Sequence, residues 1–447
     1  MEYSLFSPQF SNFVISVLAF VLCLSIIVFV HEFGHYFIGK LSGIHAEVFS
    51  IGFGPVIISA CDKRGTKWQI AAFPLGGYVK FLGDKNAASS PDLETSSDND
   101  TEYTRSTMHG APLLARFLTV AAGPIFNFIF SGIIFFLINI NQGTVKFPLT
   151  VQKLFDAPFQ HMLKVGDVVK SINGVQIETE PNDIGIILNS NFNSDGITYV
   201  VERDGRLVSL ENVIQNPPRI ASVFPKSAAM SAGLKKGDLI LSLNSEKISN
   251  FNQIKKFVEA SKGEALTVKY WRKGLVYETE LKPLIVDVPV ESGGFERIYR
   301  IGIASSPLPF EPAIQKQSFF AALFNSIDNI YSVITNSFSG LYHILSGNIS
   351  TCNLSGPISM GEISGHMIKQ GPIFYLWTIA AFSTAIGLIN LFPIPVLDGG
   401  HLMFFTVEAV MGKKPNQNIV NNFMIVGFIL LVGLMVFALS NDILCRP

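Results

Sequence analysis

Charge is scarce in this chain. Asp, Glu, Lys and Arg make up 15% of its 447 residues, and they sum to a formal net charge of −1. No basic field is available to hold a nucleic-acid backbone, so that class of partner is excluded. Cysteine is scarcer still, with four residues (Cys23, Cys61, Cys352 and Cys445) and no CxxC pair. A zinc ribbon and a disulfide-dense secreted scaffold are therefore excluded. A basic leader is missing too: "MEYSLFSPQF" contains no Lys or Arg, and no small-residue cleavage site follows Val30. The first apolar run is thus not expected to be a removable signal.

What is present is apolar. Hydrophobic residues form 48% of the chain, and 38 of them are phenylalanines. Four runs reach the roughly 20 apolar residues needed to cross a bilayer: 13–38, 117–140, 371–397 and 423–439. The expected class is a polytopic α-helical membrane protein with four transmembrane helices in contact with lipid. Lys40, Lys63, Arg64, Lys67, Lys80, Lys85, Arg105 and Arg116 lie between the first two runs, and Lys413 and Lys414 between the last two. By the positive-inside rule both loops are cytoplasmic, leaving the N-terminus, the region 141–370 and the C-terminus outside. Cys352 and Cys445 both fall on that outer side, where an oxidising compartment permits a disulfide. Two free thiols are the alternative, because sequence does not fix the Cα separation.

The region between runs two and three contains an internal repeat. "LKVGDVVKSINGVQI" (Leu163–Ile177) and "LKKGDLILSLNSEKI" (Leu234–Ile248) agree at seven of fifteen positions at an offset of 71. Each copy continues into alternating β-branched segments around a charged Asp-Gly or Lys-Gly turn, the pattern of a hairpin. Two tandem α+β modules follow. The second, with "IASVFPKSAAMSAGLKKGDLILSLNSEKI", resembles a bacterial PDZ domain; the first lacks the A-G-L step, which puts its peptide groove in doubt. The stretch 86–110 is polar and mixed in charge, and reads as a loop. Ser318–Leu345 carries apolar residues at steps of three or four around a single charge, Asp328. It reads as an amphipathic helix or broken pair, lying on the outer membrane face or packing under the second module.

The expected organisation is a first span over 1–40, a membrane-associated β-hairpin region over 41–85 and a cytoplasmic loop over 86–114. A second span over 115–140 and modules over 143–215 and 216–286 follow. An amphipathic segment over 311–346, a third span over 371–400 and a fourth over 419–440 complete it.

The first span raises a chemical question. "IIVFVHEFGHYFIGK" (Ile26–Lys40) puts His31, Glu32 and His35 where ionisable groups are expensive, which makes them a functional hypothesis. His31 and His35 are one helical turn apart on one face, the spacing that grips zinc, with Glu32 beside them as a general base. A catalytic zinc needs a third protein ligand. Asp398, in "INLFPIPVLDGGH", follows 27 uncharged residues at a break made by Pro393 and Pro395 and continued by Gly399 and Gly400. His401 is the rival ligand.

HExxH in the first span with "NLFPIPVLDGG" in the third resembles the site-2 protease family of intramembrane zinc metalloproteases. "AAGPIFNF", "PLGGYVKFLGD", "LSGPISM" and the tandem modules point to its RseP (regulator of sigma-E protease) subgroup, which cleaves anti-sigma factors in the Gram-negative inner membrane. The resemblance implies His31, His35 and Asp398 as metal ligands and Glu32 as the base. Asn390 matches a substrate-contacting asparagine, and Gly123 and Asn127 match a GxxxN motif implied to belong to the substrate site, read from the residues as close helix approach with one polar group facing the site; packing alone is the alternative. The region around Gly76, Gly77, Tyr78 and Val79 would pair with an unwound substrate by strand addition. The implied partner is a single-span membrane protein already trimmed by another protease, with the modules screening substrates by size. A membrane chaperone or scaffold with a vestigial metal site is an alternative reading. A metal transporter is another, but it would spread its ionisable residues along a path rather than gather them at one depth.

Overall fold

The computed structural model describes residues 8–84, 105–177, 197–214, 216–289, 295–306 and 308–445. They divide into two compact units, one built from 1–139, 319–345 and 351–446, the other from 140–318 and 346–350. Among the described residues four helices are long and apolar enough to cross a membrane, and each falls on one of the four apolar runs.

The first unit begins with helix α1 (Pro8–Leu41), followed by two long strands, β1 (Ala46–Cys61) and β2 (Lys67–Phe81), and helix α2 (Leu113–Gln142). Each strand folds back on itself. Residues 56–61 of β1 pair with 67–71 of β2, while 46–51 lie between 67–70 and 77–81. Gly52 and Gly54 sit at the bend with φ of 88° and 87°, a region closed to residues with a Cβ except under strain. An added Cβ at Gly52 would also come within 2.8 Å of Phe73 O. The result is one curled sheet with 77–81 at one edge and 56–61 at the other. Phe49 stacks on Trp68 at 4.2 Å, and Tyr36 of α1 packs against Trp68 at 5.0 Å, so the sheet is fastened to α1. At the far end Phe53, Val56, Ile57, Ile58, Ile70 and Phe73 are exposed, an apolar tip suited to lipid.

Helix α3 (Phe319–Leu345) is a single helix rather than a broken pair. It packs along α2 and the third spanning helix: Phe319 meets Phe136 at 5.1 Å, and Ile330 and Val333 join the core of Ile134, Phe135 and Ile379. Helix α4 (Pro357–Gln370) runs against α1, with Gly365 seated on Ser16 and Gly361 near Phe20. Helix α5 (Pro372–Asn390) is the third span. It stops well before residue 400, correcting the expected boundary, because Pro393 and Pro395 have no N–H to continue the ladder. Asp398 then begins a separate helix, α6 (Asp398–Met411). Gly399 and Gly400 form its buried first turn rather than irregular backbone, where a Cβ would collide with Phe392 O and Ile394 O. Helix α7 (Gln417–Leu444) is the fourth span.

The C-terminal end of α7 is tied down twice. Cys445 is disulfide-bonded to Cys352, with Cα atoms 5.5 Å apart. Asp442, buried at 5% exposure, accepts the N–H groups of Gly356, Ile358 and Ser359 at 3.0–3.1 Å and the Ser359 hydroxyl. Those are orphan donors at the start of α4, whose Pro357 has no N–H of its own.

The second unit contains two four-stranded sheets. β3 (Val168–Ile172), β4 (Val175–Gln176), β5 (Ile197–Arg203) and β6 (Arg206–Val213) lie in the order β4-β3-β5-β6. β7 (Leu239–Leu243), β8 (Glu246–Lys247), β9 (Leu266–Arg272) and β10 (Leu275–Leu281) lie in the order β8-β7-β9-β10. The sequence repeat is thus a repeat of topology, and its Gly-Asp step has a physical role. Asp167 and Asp238 are each 1% exposed at the side chain. Each accepts a local N–H, from Lys164 at 2.8 Å and Lys235 at 2.7 Å, and takes a two-pronged grip from Arg203 or Arg272. Burial alone would raise the Asp167 carboxyl, yet the Arg203 bonds and the Lys164 N–H hold it below its ordinary value. The expected loop at 86–104 and part of the first module, 178–196, lie outside the described residues.

Cys61 is exposed and Cys23 buried. Alkylation without reductant should therefore label Cys61 in native protein and add only Cys23 on denaturation. Cys352 and Cys445 should react only after reduction. Mass spectrometry finding either of them alkylated beforehand would contradict the disulfide.

Candidate active site

On α1 the four-residue spacing brings the His31 and His35 rings to one face, their Nε2 atoms 3.2 Å apart. Asp398 Oδ2 approaches from the first turn of α6, 3.0 Å from His31 Nε2 and 3.4 Å from His35 Nε2. These are the one group of three potential metal donors found among the described residues. Ligand atoms held tetrahedrally at ~2.0–2.1 Å from zinc lie about 3.3–3.4 Å from each other. The observed triangle fits. Asp398 Oδ2 is also buried with no hydrogen-bond partner, as befits an atom whose natural partner is a cation. His401 lines the same cavity but stands outside the donor group.

Helix α2 forms the back wall. Arg116, Thr119, Gly123 and Asn127 recur at steps of three and four, so they share one face. The Thr119 carbonyl meets His35 Nδ1 at 2.9 Å. A carbonyl only accepts, so Nδ1 carries the proton and Nε2 presents its lone pair to the donor triangle. The Asn127 amide lies 3.2 Å from His31 Nδ1 and is fully buried. Asn127 Oδ1 otherwise has no partner. Turning the amide so that Oδ1 accepts from His31 Nδ1–H satisfies both groups and frees His31 Nε2 in the same way. Gly123 faces the imidazoles directly; a Cβ there would collide with His35 Nε2 and lie 2.9 Å from His31 Cε1. Gly34 of α1 is pressed as closely on Ala122 O, at 2.5 Å for an added Cβ.

The triangle opens into a cavity of about 700 Å³. Glu32, Gly76, Gly77, Tyr78, Val79 and Asn390 all line it. Gly123 and Asn127 do not. They sit behind the histidines, in contact with the imidazoles. Along the sheet edge, Val79 N–H goes to the Glu32 carboxylate and Phe81 N–H to Asp84 Oδ2 at 3.2 Å. Alternate residues of a strand direct their polar groups the same way, so Gly77 presents its N–H and C=O on this cavity side. A Cβ at Gly77 would lie 3.2 Å from Glu32 Cγ and 2.8 Å from Ser50 O.

The Thr119 carbonyl is the functional group that residue types alone do not announce, since a backbone oxygen leaves no signature. The three-and-four spacing from Arg116 to Asn127 is the signal that could have found it.

A spanning-helix HExxH pair joined by an aspartate from a broken helix defines a class of membrane metalloprotease, and comparison with known proteins agrees. Residues 19–434 match the model of Peptidase family M50. The chain belongs to that site-2 protease family and is a zinc metalloendopeptidase. A relative in Agrobacterium fabrum, provisionally named a zinc metalloprotease, is 32% identical over 427 residues, covering 96% of this chain and 95% of its own. Protease RseP of Yersinia pestis is 31% identical over 462 residues, covering 96% of this chain and 98% of its own. The regulator of sigma-E protease RseP of Salmonella typhimurium is 30% identical over 452 residues, covering 95% and 97%. A solved PDZ domain of an SdrC-like protein from Listeria monocytogenes aligns with 21% of this chain and 92% of its own at 17% identity and a TM-score of 0.17, too slight to argue from.

Gly123→Ala should lower zinc affinity at least tenfold by crowding both imidazoles, whereas Gly132→Ala on the same helix, with only Ile330 at 3.4 Å, should leave it unchanged. Competition with a chromophoric chelator measures both, and equal affinities would refute the crowding argument.

Proposed function

We propose that this enzyme cleaves a membrane protein within its spanning segment, with His31, His35 and Asp398 holding zinc and Glu32 as general base. The observation that carries the reading is the shared cavity: the donor triangle, Glu32 and the outward edge of Gly77–Val79 line one space. Zinc, when bound, supplies Lewis-acid polarisation of the scissile carbonyl and a water acidified to about neutral pKa. Glu32 takes a proton from the attacking water and delivers it to the leaving nitrogen. The Val79 N–H keeps the Glu32 carboxylate turned to the cavity.

A helical peptide bond is shielded by its own hydrogen bonds and must be extended before attack. The strand edge at Gly77 supports strand addition as the means of holding the extended segment. Asn390, on the same cavity wall, would hold the segment beyond the cleavage point. The relatives named for regulating sigma E support an anti-sigma factor with a single span as substrate. They also support the bacterial inner membrane as location, with lipid around the spans. The Cys352–Cys445 disulfide supports placing the outer ends of the spans in the oxidising periplasm. The repeat modules would filter substrates by bulk, admitting one already trimmed.

Glu32→Gln should retain zinc and lose proteolysis by at least a hundredfold on a single-span substrate. Asp398→Asn should lose both. Zinc loss from Glu32→Gln, or full retention by Asp398→Asn, would sink the role assignments. With substrate bound to the Glu32→Gln enzyme, amide exchange at Gly77 should slow; unchanged exchange there would argue against strand addition. Replacing residues 143 to 285 by a flexible linker should permit cleavage of an untrimmed substrate while preserving activity on a trimmed one. Continued rejection of the untrimmed form would place the filter elsewhere.

A further inference from the structure

Ten residues beyond Asp398 on α6, Glu408 forms a two-pronged ion pair with Arg116 at the start of α2. Arg116 Nη2 donates to Oε1 at 2.6 Å and Nη1 to Oε2 at 3.1 Å. The side chains are 7% and 13% exposed. Arg116 Nε donates to Ala111 O at 3.1 Å, and the guanidinium lies over the Phe405 ring at 5.1 Å. Neither residue belongs to the donor triangle, and the proton transfer described above does not use them. A buried charge pair is weak evidence for stability, since apolar residues of similar size often do as well, but it fixes geometry strictly. The guanidinium fork and the carboxylate meet well in one relative orientation.

What that orientation fixes is informative. The face of α2 that begins with Arg116 continues through the Thr119 carbonyl on His35, Gly123 under both imidazoles and Asn127 at His31. Helix α6 carries the third donor, Asp398, at its first residue, about 15 Å from Glu408 along a rigid helix. The segment that joins α6 to α5, residues 391–397, contains two prolines and no helix. Its hydrogen bonds are short-range turns, Ile394 N–H to Phe392 O, Leu397 N–H to Ile394 O and Gly400 N–H to Leu397 O, so no continuous helical ladder carries the rotation and depth of α5 into α6. The ion pair sets both from the other end, referencing Asp398 to the same helix that orients His35 and His31.

We infer that Arg116 and Glu408 are positioning residues for the metal site, locking α6 to α2 so that Asp398 meets the two histidines. This rests on the assignment of His31, His35 and Asp398 as zinc ligands. It adds that the site depends on a pair outside the donor triangle, set in the wall of the same cavity.

The test is zinc competition on full-length protein in detergent, using a chromophoric chelator. It runs beside thermal unfolding and kinetics for Glu408→Gln, Arg116→Lys and Asp398→Asn. Glu408→Gln should weaken zinc binding at least tenfold and lower kcat by a similar factor with KM within twofold. Arg116→Lys keeps the charge but loses the fork, and should move zinc affinity in the same direction by about threefold or more. The double variant Arg116→Met with Glu408→Met removes the pair without leaving an unpaired buried charge. It should recover thermal stability while zinc affinity stays low, a split that a merely structural pair would not give. If Glu408→Gln fails to fold, Arg116→Lys and the double variant decide. Zinc affinity within twofold of the unmodified enzyme in every folded variant would overturn the inference, as would parallel recovery of stability and affinity in the double variant. Asp398→Asn separates the two levels: if it too retains zinc, the ligand assignment has failed, not only the positioning role.

Discussion

The structure depends on how closely α1 and α2 approach. Ionisable groups at membrane depth are tolerable when they meet partners rather than hydrocarbon. Here two imidazoles and a carboxylate on α1 must be partnered largely by the helix beside it. Two glycines make the approach possible, Gly34 against Ala122 O and Gly123 against the histidine rings. With the helices that close, the Thr119 carbonyl and the Asn127 amide reach the two Nδ1 atoms. Each ring is then held from behind by one partner and presents Nε2 forward. Small residues at a helix interface are usually explained by packing alone. In this case they make room for chemistry.

The curled sheet answers a second constraint. An open sheet edge facing lipid would leave backbone groups unsatisfied, which hydrocarbon does not permit. The edge 77–81 escapes that penalty because it faces the cavity, where Glu32 and Asp84 accept two of its N–H groups. The same arrangement brings extended backbone beside the general base, without a side chain at Gly77 to hold another strand away. The Tyr36, Phe49 and Trp68 cluster fastens the sheet to α1 one turn beyond Glu32, so base and edge are referenced to one helix.

Much of this was legible from residue types and spacing. The four apolar runs became the four long helices, and the repeat at an offset of 71 became two sheets of one strand order. His31, His35 and Asp398 came together although 363 residues separate His35 from Asp398 in sequence. Other features were not legible, for reasons that can be named. The end of α5 was misjudged because hydropathy runs smoothly through the prolines, while the backbone ladder does not. The setting of α3 was missed because an amphipathic stripe says that one face is covered, not by what. The neighbour of Asn127 was not legible because GxxxN fixes its helix face but not which group occupies that face. Only the unpartnered Oδ1 and the 3.2 Å approach to His31 decide it.

The choice of aspartate as third donor follows from where it is placed. Asp398 is the first residue of α6, where unpaired N–H groups and the helix dipole favour a negative charge. The break at Pro393 and Pro395 creates that helix start next to α1, so the same two prolines end the span and produce an anion-favouring position. A third imidazole there would give up the favourable dipole and leave three neutral rings without a counter-charge for the metal. His401 illustrates the point: it lies on the next turn of α6 and faces the same cavity, yet stands outside the donor triangle. Position at the helix terminus, more than ligand type, separates the donor from its neighbour.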